Sequence, residues 1–330
     1  MRLIFAGTPS AAVPSLQALI DGPHDVVQVV TRPPAPAGRR RTLTPSPVQR
    51  AAQQAALPVL TTARLGAEAT ERLTALQADL GVVVAYGALV RTPLLTAPRL
   101  GWLNLHFSLL PRWRGAAPVQ RAVLAGDTES GVSVFRLEQG LDTGPLVATR
   151  AVPIGEAETA GELLDRLADI GAEVLRDAVD ALAAGTAILT PQRGAPTLAP
   201  KLTAADGRID WTLPADAVLA RIRGATPEPG AVTDAVVPAA VVAGGAGVRL
   251  KVLRAAPVPA SAAPGTSSIA SEAPSDGAPL APGAVLLRAG RVLAGTGSNP
   301  IELLTVQPAG RTGMPAAAWL RGLAAVPVLR

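Results

Sequence analysis

The sequence contains no cysteine, and it contains only two histidines, His24 and His106, in 330 residues. Without cysteine, disulfide bonds, thiolate catalysis and cysteine-ligated zinc are excluded, and two histidines are too few for a multi-histidine metal site. Aromatic residues are scarce as well, at one Tyr, three Phe and four Trp, so few rings are available to stack on single-stranded nucleic acid. We find neither an apolar run of about 18 residues nor a signal-peptide pattern, and we therefore expect a soluble cytoplasmic protein that does not interact with a membrane.

The length and the charge pattern indicate two domains and an anionic partner. A chain of 330 residues with 48% hydrophobic residues has enough apolar material to fold, and it is longer than one core usually serves. The net charge is +5; six Arg and no acidic residue lie between Asp25 and Glu68, and five more Arg and no acidic residue lie between Asp79 and Asp127. This basic first third suits a phosphate backbone.

The first 150 residues alternate short apolar runs with helical stretches, which predicts a parallel β-sheet with crossover helices. Strands are expected at Arg2–Ala6, Asp25–Thr31 and Leu80–Ala85. Residues 31–48 are rich in proline and are expected to form a long irregular loop, with a helix beginning after Ser46. Further along, the pair Thr159 and Glu162 forms a capping box that predicts a long helix, and Gly185 ends it.

The second half of the chain predicts a different architecture. Short strands separated by turn signals are expected at Val248–Leu253, Val285–Leu287 and Ile301–Leu304. This spacing is typical of a small β-barrel or sandwich. We therefore expect an α/β domain at 1–185, a linker without hydrophobic periodicity at 186–205, and a β-domain at 206–330. The Pro/Ala/Ser-rich residues 255–282 are expected to be a disordered insertion between strands.

Polar residues lie along one face of a predicted interior strand, Leu103–Ser108. With a period of two, Leu103, Leu105 and Phe107 share one face, whereas Asn104, His106 and Ser108 share the other. The carboxyl end of a strand in an open α/β sheet is where ligand sites form. The side chains of Asn104 and His106 should therefore converge on one ligand.

A carboxylate in a glycine-flanked turn completes the candidate site. The segment Gly140–Gly144 (GLDTG) places Asp142 between two glycines, where the backbone can approach a ligand closely. An amide that donates to an oxyanion, an imidazole that moves a proton and a carboxylate that orients the imidazole suit acyl transfer to an amine. From spacing alone, Asn104 and His106 are equally interpretable as satisfied polar residues in a sheet, and Asp142 as part of an Asx turn.

Longer motifs identify a family that the chain resembles. The run NLHFSLLPRWRGAAPVQ at 104–120, together with GLDTG, strongly resembles the methionyl-tRNA formyltransferases, which belong to the folate-dependent formyltransferases. Further matching segments are FAGTP (5–9), PAGRRRTLTPSPV (36–48), VVVAYG (82–87), GRIDW (207–211) and VQPAGR (306–311). The resemblance therefore extends over almost the whole chain.

The resemblance implies a fold, an activity and a set of catalytic residues. The fold would be a Rossmann-like formyltransferase domain with a parallel sheet, a linker and a C-terminal OB-like β-barrel. The activity would be transfer of the formyl group of 10-formyltetrahydrofolate to the amino group of methionine on initiator methionyl-tRNA, with tetrahydrofolate as product and without a metal. Asn104 and His106 would stabilise the oxyanion, and Asp142 with a water would relay the proton to N10 of the leaving folate.

The resemblance also implies binding residues and a monomeric state. The residues that match the folate-binding segments are Ser108, Leu109, Leu110, Pro111, Tyr86, Gly87 and Leu89. The residues that match the basic loop for the tRNA acceptor end are Arg39, Arg40 and Arg41. Two positions depart from the family: Phe107 replaces a Gly or Ala and is expected to point away from the catalytic face, and Glu228 replaces a Trp in the barrel domain.

Two other functions are compatible with the catalytic residues. A formyltransferase of the same superfamily that acts on an amino sugar or a purine precursor would use the same three side chains. A non-catalytic tRNA-binding protein could retain the same fold. The arginine-rich loop and the basic second domain favour a tRNA acceptor over a small one, and the three intact catalytic positions favour an enzyme.

Overall fold

A computed structural model describes residues 1–37, 42–237, 247–258 and 280–330 of the protein. Contacts along the chain divide it into two compact units. The first unit comprises residues 1–118, 129–153 and 163–200, and the second comprises residues 119–128, 154–162 and 201–330. Domain boundaries at 185 and 206 remain predictions.

The strands, in chain order, are β1 (Arg2–Gly7), β2 (Asp25–Thr31), β3 (Ala35–Ala37), β4 (Thr42–Thr44), β5 (Val59–Thr61), β6 (Leu80–Val84), β7 (Trp102–His106), β8 (Arg114–Gly115), β9 (Glu129–Arg136), β10 (Leu146–Pro153), β11 (Leu198–Ala199), β12 (Val232–Val236), β13 (Val248–Pro257), β14 (Val285–Arg288), β15 (Arg291–Ala294), β16 (Ile301–Pro308), β17 (Met314–Pro315) and β18 (Val328–Leu329). The α-helices are α1 (Val13–Ile20), α2 (Pro47–Gln54), α3 (Ala67–Thr74), α4 (Pro118–Leu124), α5 (Ala160–Ala183), α6 (Ala215–Ala225) and α7 (Ala316–Arg321). Short 3₁₀ turns lie at Ser10–Ala12, Leu94–Thr96 and Ala205–Gly207.

The first unit is built on a mainly parallel sheet with the order β10-β9-β7-β6-β1-β2-β5. Strands β5, β2, β1, β6 and β7 are parallel, whereas β9 is antiparallel to both β7 and β10. All five residues of β6 are buried, as its continuous apolar sequence predicts for a strand covered on both faces. Gly81 is required there, because a Cβ atom at this position would lie 2.2 Å from the buried ring of Trp102. The predicted Rossmann-like sheet is confirmed.

The segment 31–48 is not wholly irregular, so that prediction was wrong in part. Strands β3 and β4 form a short antiparallel ladder that pairs Ala35 with Thr44 and Pro36 with Leu43. Proline is tolerated because a two-stranded ribbon consists only of edges, where a missing N–H can face away from the partner. Residues 38–41, which include all three arginines of the predicted tRNA-binding loop, lie outside the described residues.

Local capping residues determine where two helices, α2 and α5, begin. The Ser46 hydroxyl accepts a hydrogen bond from the Gln49 N–H at 2.9 Å and begins α2. At the start of α5 the Thr159 N–H donates to the Glu162 carboxylate at 3.0 Å, and the Glu162 N–H donates to the Thr159 hydroxyl at 3.3 Å. These reciprocal bonds satisfy backbone donors that have no partner within the helix. Both predicted helix starts are confirmed.

Residues 186–200 are part of the first unit and pair with other segments of it. Thr190 and Leu146 exchange two backbone hydrogen bonds of 2.8 Å, and β11 lies parallel to β8. Backbone hydrogen bonds, and not an apolar face, attach this segment to its neighbours. Its sequence therefore needs no hydrophobic periodicity. These contacts bring residues distant in sequence next to the candidate site described below.

The second unit is a nearly closed antiparallel barrel with the strand order β14-β15-β16-β13-β12-β18 and with β17 paired to β16. The two ends of this sheet meet, because Ala284 bridges Val328 and the Leu329 N–H donates to the Gly283 carbonyl at 2.8 Å. Its core includes Trp211, whose indole N–H donates to the Thr233 hydroxyl at 2.9 Å. The predicted C-terminal barrel is confirmed.

Strand β13 continues through Pro257, so residues 255–257 belong to the barrel and not to an insertion. Pairing with β16 overrides the low strand propensity of this Ala/Pro sequence, and Pro257 is tolerated at the strand end. Residues 259–279, the greater part of the predicted insertion, lie outside the described residues. Within the described ranges, the structure has no helix that combines the length and the apolarity needed to cross a bilayer.

Candidate active site

Strand β7 presents its polar residues on one face of the sheet. It lies between β6 and β9, and His106 is its last residue. Leu105 faces the opposite side, toward α5, where a Cβ atom at Gly171 would approach its Cδ2 atom to 2.8 Å. Asn104 is half-buried and His106 is only 6% exposed. The predicted alternation therefore places Asn104 and His106 together at the carboxyl end of the strand.

The tautomer of His106 follows from its partner. Nε2 lies 2.9 Å from the carbonyl oxygen of Trp113. Because a carbonyl oxygen only accepts hydrogen bonds, Nε2 carries the proton of the neutral ring and Nδ1 has the free lone pair. The ring also packs edge-on against Phe135 of β9, with a centroid separation of 6.4 Å. The basic nitrogen of His106 is thus Nδ1.

Asp142 is the charged group that faces Nδ1. Its Oδ2 lies 3.9 Å from Nδ1 of His106, and the same oxygen accepts a hydrogen bond of 2.8 Å from the Gly115 N–H. The first distance is too long for a hydrogen bond, but it is short enough for a negative charge to stabilise an imidazolium. Asp142 has a φ of +51°, in the left-handed region, which residues other than glycine seldom adopt. Asp142 therefore lies close enough to act on the charge of His106, whereas the Trp113 carbonyl, and not Asp142, makes the hydrogen bond that orients the ring.

Burial lowers the pKa of His106, and this effect exceeds the upward effects of the Asp142 charge and of the hydrogen bond to Trp113. A lowered pKa means that the neutral imidazole predominates at pH 7, as a proton acceptor requires. The site therefore keeps His106 neutral near pH 7, with the lone pair of Nδ1 able to accept a proton.

The titration of His106 can be observed directly, because the chain has only two histidines. We expect its imidazole NMR signal to titrate with a midpoint below about 6.5, and to shift lower still in an Asp142→Asn variant, which lacks the charge that favours the imidazolium. Between the folded and unfolded pKa values the unfolded chain binds more protons, so this group makes stability fall as pH falls through that window. A His24→Asn variant assigns the second signal. A midpoint above 6.5 would show that Asp142 outweighs burial.

The segment after β7 is held by a compact hydrogen-bond network. The Ser108 hydroxyl donates to the Arg112 carbonyl at 2.6 Å, and the Ser133 hydroxyl donates to the Ser108 carbonyl at 2.7 Å. The Ser133 hydroxyl in turn accepts the Leu110 N–H at 3.1 Å. Leu109 is half-buried, and Leu110 and Pro111 are buried. Of the four predicted folate-binding residues in this segment, Ser108 already uses its hydroxyl and its carbonyl in hydrogen bonds to other residues of the protein.

The second predicted folate-binding segment follows β6. The Tyr86 side chain is 1% exposed; its hydroxyl donates to the Thr62 carbonyl at 2.9 Å, and burial raises its pKa. Gly87 has a φ of +84°, and Leu89 is 64% exposed. The Tyr86 side chain thus belongs to the core, whereas Leu89 presents an apolar side chain to solvent.

The structure adds three residues to the site that sequence reasoning missed. Trp113 supplies the carbonyl that fixes the His106 tautomer, Gly115 supplies the N–H that holds Asp142, and Gln192 donates to the carbonyls of Asp142 and Gly144. The first two contribute backbone groups inside the recognised motif, which no side-chain pattern reveals. Gln192 lies 50 residues after Asp142 in a segment without periodicity, so no sequence signal indicated its contact.

The structure describes both positions that depart from the family pattern. Phe107 is 6% exposed, in keeping with an apolar packing role, and Glu228 is exposed. Among the described residues, no group of three or more His, Asp or Glu is arranged to hold a metal ion.

Comparison with protein-family models agrees with this fold. A model described as formyl transferase matches residues 1–179, and a model described as formyl transferase, C-terminal domain, matches residues 201–324. The chain belongs to the formyl transferase family. Two relatives narrow the assignment: methionyl-tRNA formyltransferase of Clavibacter michiganensis subsp. michiganensis is 55% identical over 98% of this chain and 97% of its own length, and that of Leifsonia xyli subsp. xyli is 52% identical over the full length of both chains. Within the family, the chain is a member of the methionyl-tRNA formyltransferases.

Solved structures of lower identity share the fold. A variant of HypX from Aquifex aeolicus superposes with a TM-score of 0.63 at 18% identity, covering 99% of this chain and 49% of that protein, so the match spans about half of HypX. An N-formyltransferase from Helicobacter canadensis superposes with a TM-score of 0.62 at 15% identity, covering 93% of this chain and 98% of that one. These two proteins therefore share the fold of this chain at low sequence identity.

Proposed function

We propose that this enzyme transfers the formyl group of 10-formyltetrahydrofolate to the amino group of methionine on initiator methionyl-tRNA, and that Asn104, His106 and Asp142 carry the chemistry. The observation that carries the proposal is the geometry of His106, whose Nδ1 lies 3.9 Å from Asp142 while Nε2 is fixed by the Trp113 carbonyl. The acceptor follows from relatives named methionyl-tRNA formyltransferase at 46–55% identity over 97% or more of their length.

The three proposed catalytic side chains have the chemistry that folate-dependent formyl transfer requires. An amide, a neutral imidazole and a carboxylate are suited to direct transfer between two nitrogens, which needs no nucleophilic side chain. Two solved relatives of the same fold support the donor, since one is a HypX complex with tetrahydrofolic acid and the other is an N-formyltransferase complex with folinic acid. We assign the folate contacts to Ser108–Pro111, Gly87 and Leu89, with Tyr86 shaping this segment from the core.

The three side chains divide the proton and charge transfers between them. The methionyl amine attacks the formyl carbon, which the folate donor supplies. Nδ1 of His106 accepts the proton that the amine loses, and Asp142 stabilises the resulting imidazolium. Asn104 donates from its amide to the formyl oxygen as that oxygen becomes negative. When the bond from the formyl carbon to N10 breaks and the formyl C=O re-forms, the proton passes to N10 through His106, Asp142 and a water, so the proton that the amine loses is the one that N10 gains and no proton is taken up or released overall.

The test is a transfer assay with 10-formyltetrahydrofolate and four acceptors: charged initiator tRNA, charged elongator methionyl-tRNA, free methionine and an amino-sugar nucleotide. Efficient transfer to the initiator alone supports both substrates. Transfer to the amino sugar instead would show that the acceptor is a sugar amine and not tRNA. Binding of tRNA without any transfer would support a non-catalytic tRNA-binding protein. Monomeric state and cytoplasmic location remain predictions, which sedimentation and cell fractionation would test.

We assign the tRNA acceptor end to Arg39, Arg40 and Arg41, on sequence grounds. Replacing all three with alanine is expected to weaken binding of initiator tRNA about 10- to 100-fold at physiological salt, because each lost phosphate contact removes a counterion-release contribution. The slope of log K against log salt should become shallower by about 2 to 3. Binding is measured by fluorescence titration at several salt concentrations.

The matched control removes the same charge elsewhere in the first unit. Three exposed arginines serve this purpose: Arg72 on α3, Arg150 on β10 and Arg176 on α5. Their combined replacement with alanine should change the affinity and the salt slope less than the loop replacement does. Equal effects of the two triple variants would show that net charge, and not a specific loop contact, governs tRNA binding.

A further inference from the structure

The Gln192 side chain spans the turn that carries Asp142. Its Nε2 lies 2.8 Å from the carbonyl oxygen of Asp142 and 2.8 Å from the carbonyl oxygen of Gly144. One amide group thus uses both of its N–H donors on two carbonyls of the same turn. Gln192 is half-buried.

The other end of the amide fixes its orientation. Its Oε1 accepts two hydrogen bonds from the Arg114 guanidinium, at 2.6 Å from Nη2 and 3.2 Å from Nε. A guanidinium can only donate, so the amide oxygen must face Arg114 and the NH₂ group must face the turn. The amide therefore has one orientation in which every partner is satisfied.

These contacts close a ring around the catalytic carboxylate. Asp142 accepts the Gly115 N–H through its side chain, and Gly115 follows Arg114 in β8. Strand β8 is itself paired with β11, which follows Gln192 in the same segment of chain. The turn is thus held at its carboxylate by Gly115 and at its backbone by Gln192, and both supports are anchored to β8.

The turn needs such support because of its conformation. Asp142 has a φ of +51°, in the left-handed region, which aspartate adopts more readily than most non-glycine residues but which neighbouring contacts still help to hold. Leu141 beside it is 55% exposed and adds little packing. Relaxation of this backbone would move the carboxylate away from His106.

We propose that Gln192 is a positioning residue for formyl transfer, which holds the Asp142 carboxylate beside Nδ1 of His106 through the Asp142 and Gly144 carbonyls. The inference rests on the proposed function, because it assigns Gln192 a role in that reaction. Gln192 touches neither reacting group in this scheme, so it acts through Asp142 alone. The reaction rate, and not substrate affinity, should therefore depend on it.

The test compares Gln192→Leu and Gln192→Glu with a control, Gln17→Leu. Both Gln192 variants keep the approximate volume but lose the NH₂ donors, and kcat is expected to fall about 10-fold, since displacement of a catalytic group by a fraction of an ångström has effects of this order. KM for the folate and for tRNA should stay within about 2-fold, as expected for an interaction made only in the transition state. Gln17 is exposed and bonds Asp21 in the same unit, so the control should retain wild-type kcat.

A double-mutant cycle with Asp142→Asn separates positioning from general structural support. If Gln192 acts through Asp142, adding Gln192→Leu to Asp142→Asn should change kcat by less than about 2-fold, because coupled residues are not additive. An undiminished 10-fold loss in that background would overturn the proposal. If Gln192→Leu fails to fold in thermal unfolding, Gln192→Glu decides, and wild-type kcat in it would likewise overturn the proposal.

Failure of this inference is distinguishable from failure of the proposed function. If the wild-type enzyme does not formylate initiator tRNA, or if Asp142→Asn retains full activity, the proposed function or its site assignment fails. If both of those hold and Gln192→Leu behaves like Gln17→Leu, the site stands and only the role of Gln192 is wrong.

Discussion

Replacement of His106 with alanine is expected to lower kcat for formyl transfer about 1000-fold, since general acid–base catalysis by a positioned imidazole contributes about 10²- to 10⁴-fold. The physical reason is the position of Nδ1, which is the unprotonated nitrogen and faces Asp142. Without it, the amine must lose its proton to water in a buried site. The measurement is single-turnover transfer to charged initiator tRNA at saturating folate.

The chain offers a matched control for this variant, because His24 is the second histidine. Its Nε2 lies 2.8 Å from the Asp180 carboxylate, in the same unit but on other elements, so His24→Ala should retain kcat. The affinity of His106→Ala for tRNA should match that of the wild type, since His106 is buried and no phosphate contact is assigned to it. If His106→Ala retained even a tenth of the wild-type rate, His106 could not be the proton acceptor.

Replacement of Asp142 with asparagine is expected to lower kcat about 100-fold while leaving the turn intact. An asparagine oxygen can still accept the Gly115 N–H, so the substitution removes the charge and keeps the hydrogen bond. Two opposite charges 3.9 Å apart interact by about 4 kcal/mol at an effective dielectric constant of about 20, and water screens part of this. We therefore expect that the loss appears in kcat, where the imidazolium forms, and that KM for both substrates changes little.

Asp177→Asn is the control for the loss of one negative charge. Asp177 is exposed on α5 and pairs with Arg176, so its substitution should leave kcat unchanged. A rate for Asp142→Asn equal to that of Asp177→Asn would mean that the charge of Asp142 does not assist transfer. A large rise in KM for the folate without a fall in kcat would instead assign Asp142 to substrate binding.

Several features of the fold and of the site were predictable because they depend only on residues that are close in sequence. Alternation in Leu103–Ser108 separated Asn104 and His106 from the apolar face, because side chains of a strand alternate whatever surrounds it. The capping box at Thr159 works within one turn, and the helix start was correct for that reason. The apolar run Leu80–Ala85 likewise indicated a strand covered on both faces.

Other features depend on pairings between distant residues, which periodicity does not encode. The ladder of β3 with β4 forms in a proline-rich segment that local propensity marks as irregular. The start of the predicted insertion was misplaced because β16 supplies partners for Ala255–Pro257. The contacts of Gln192 with the Asp142 turn likewise join residues about 50 positions apart in the chain.

The sequence by itself determined the class of fold and the family, and it singled out the three side chains to which we assign the chemistry, because strand alternation, capping and long motifs are local properties of a sequence. Only the tertiary structure decided how those side chains are arranged: which nitrogen of His106 has the free lone pair, how far Asp142 lies from it and which residues hold the turn. The tautomer follows from the Trp113 carbonyl, and the position of Asp142 follows from Gly115 and Gln192. Hydrogen bonds of this kind require donor and acceptor to lie within about 3 Å of each other. Which groups come that close is determined by the tertiary fold.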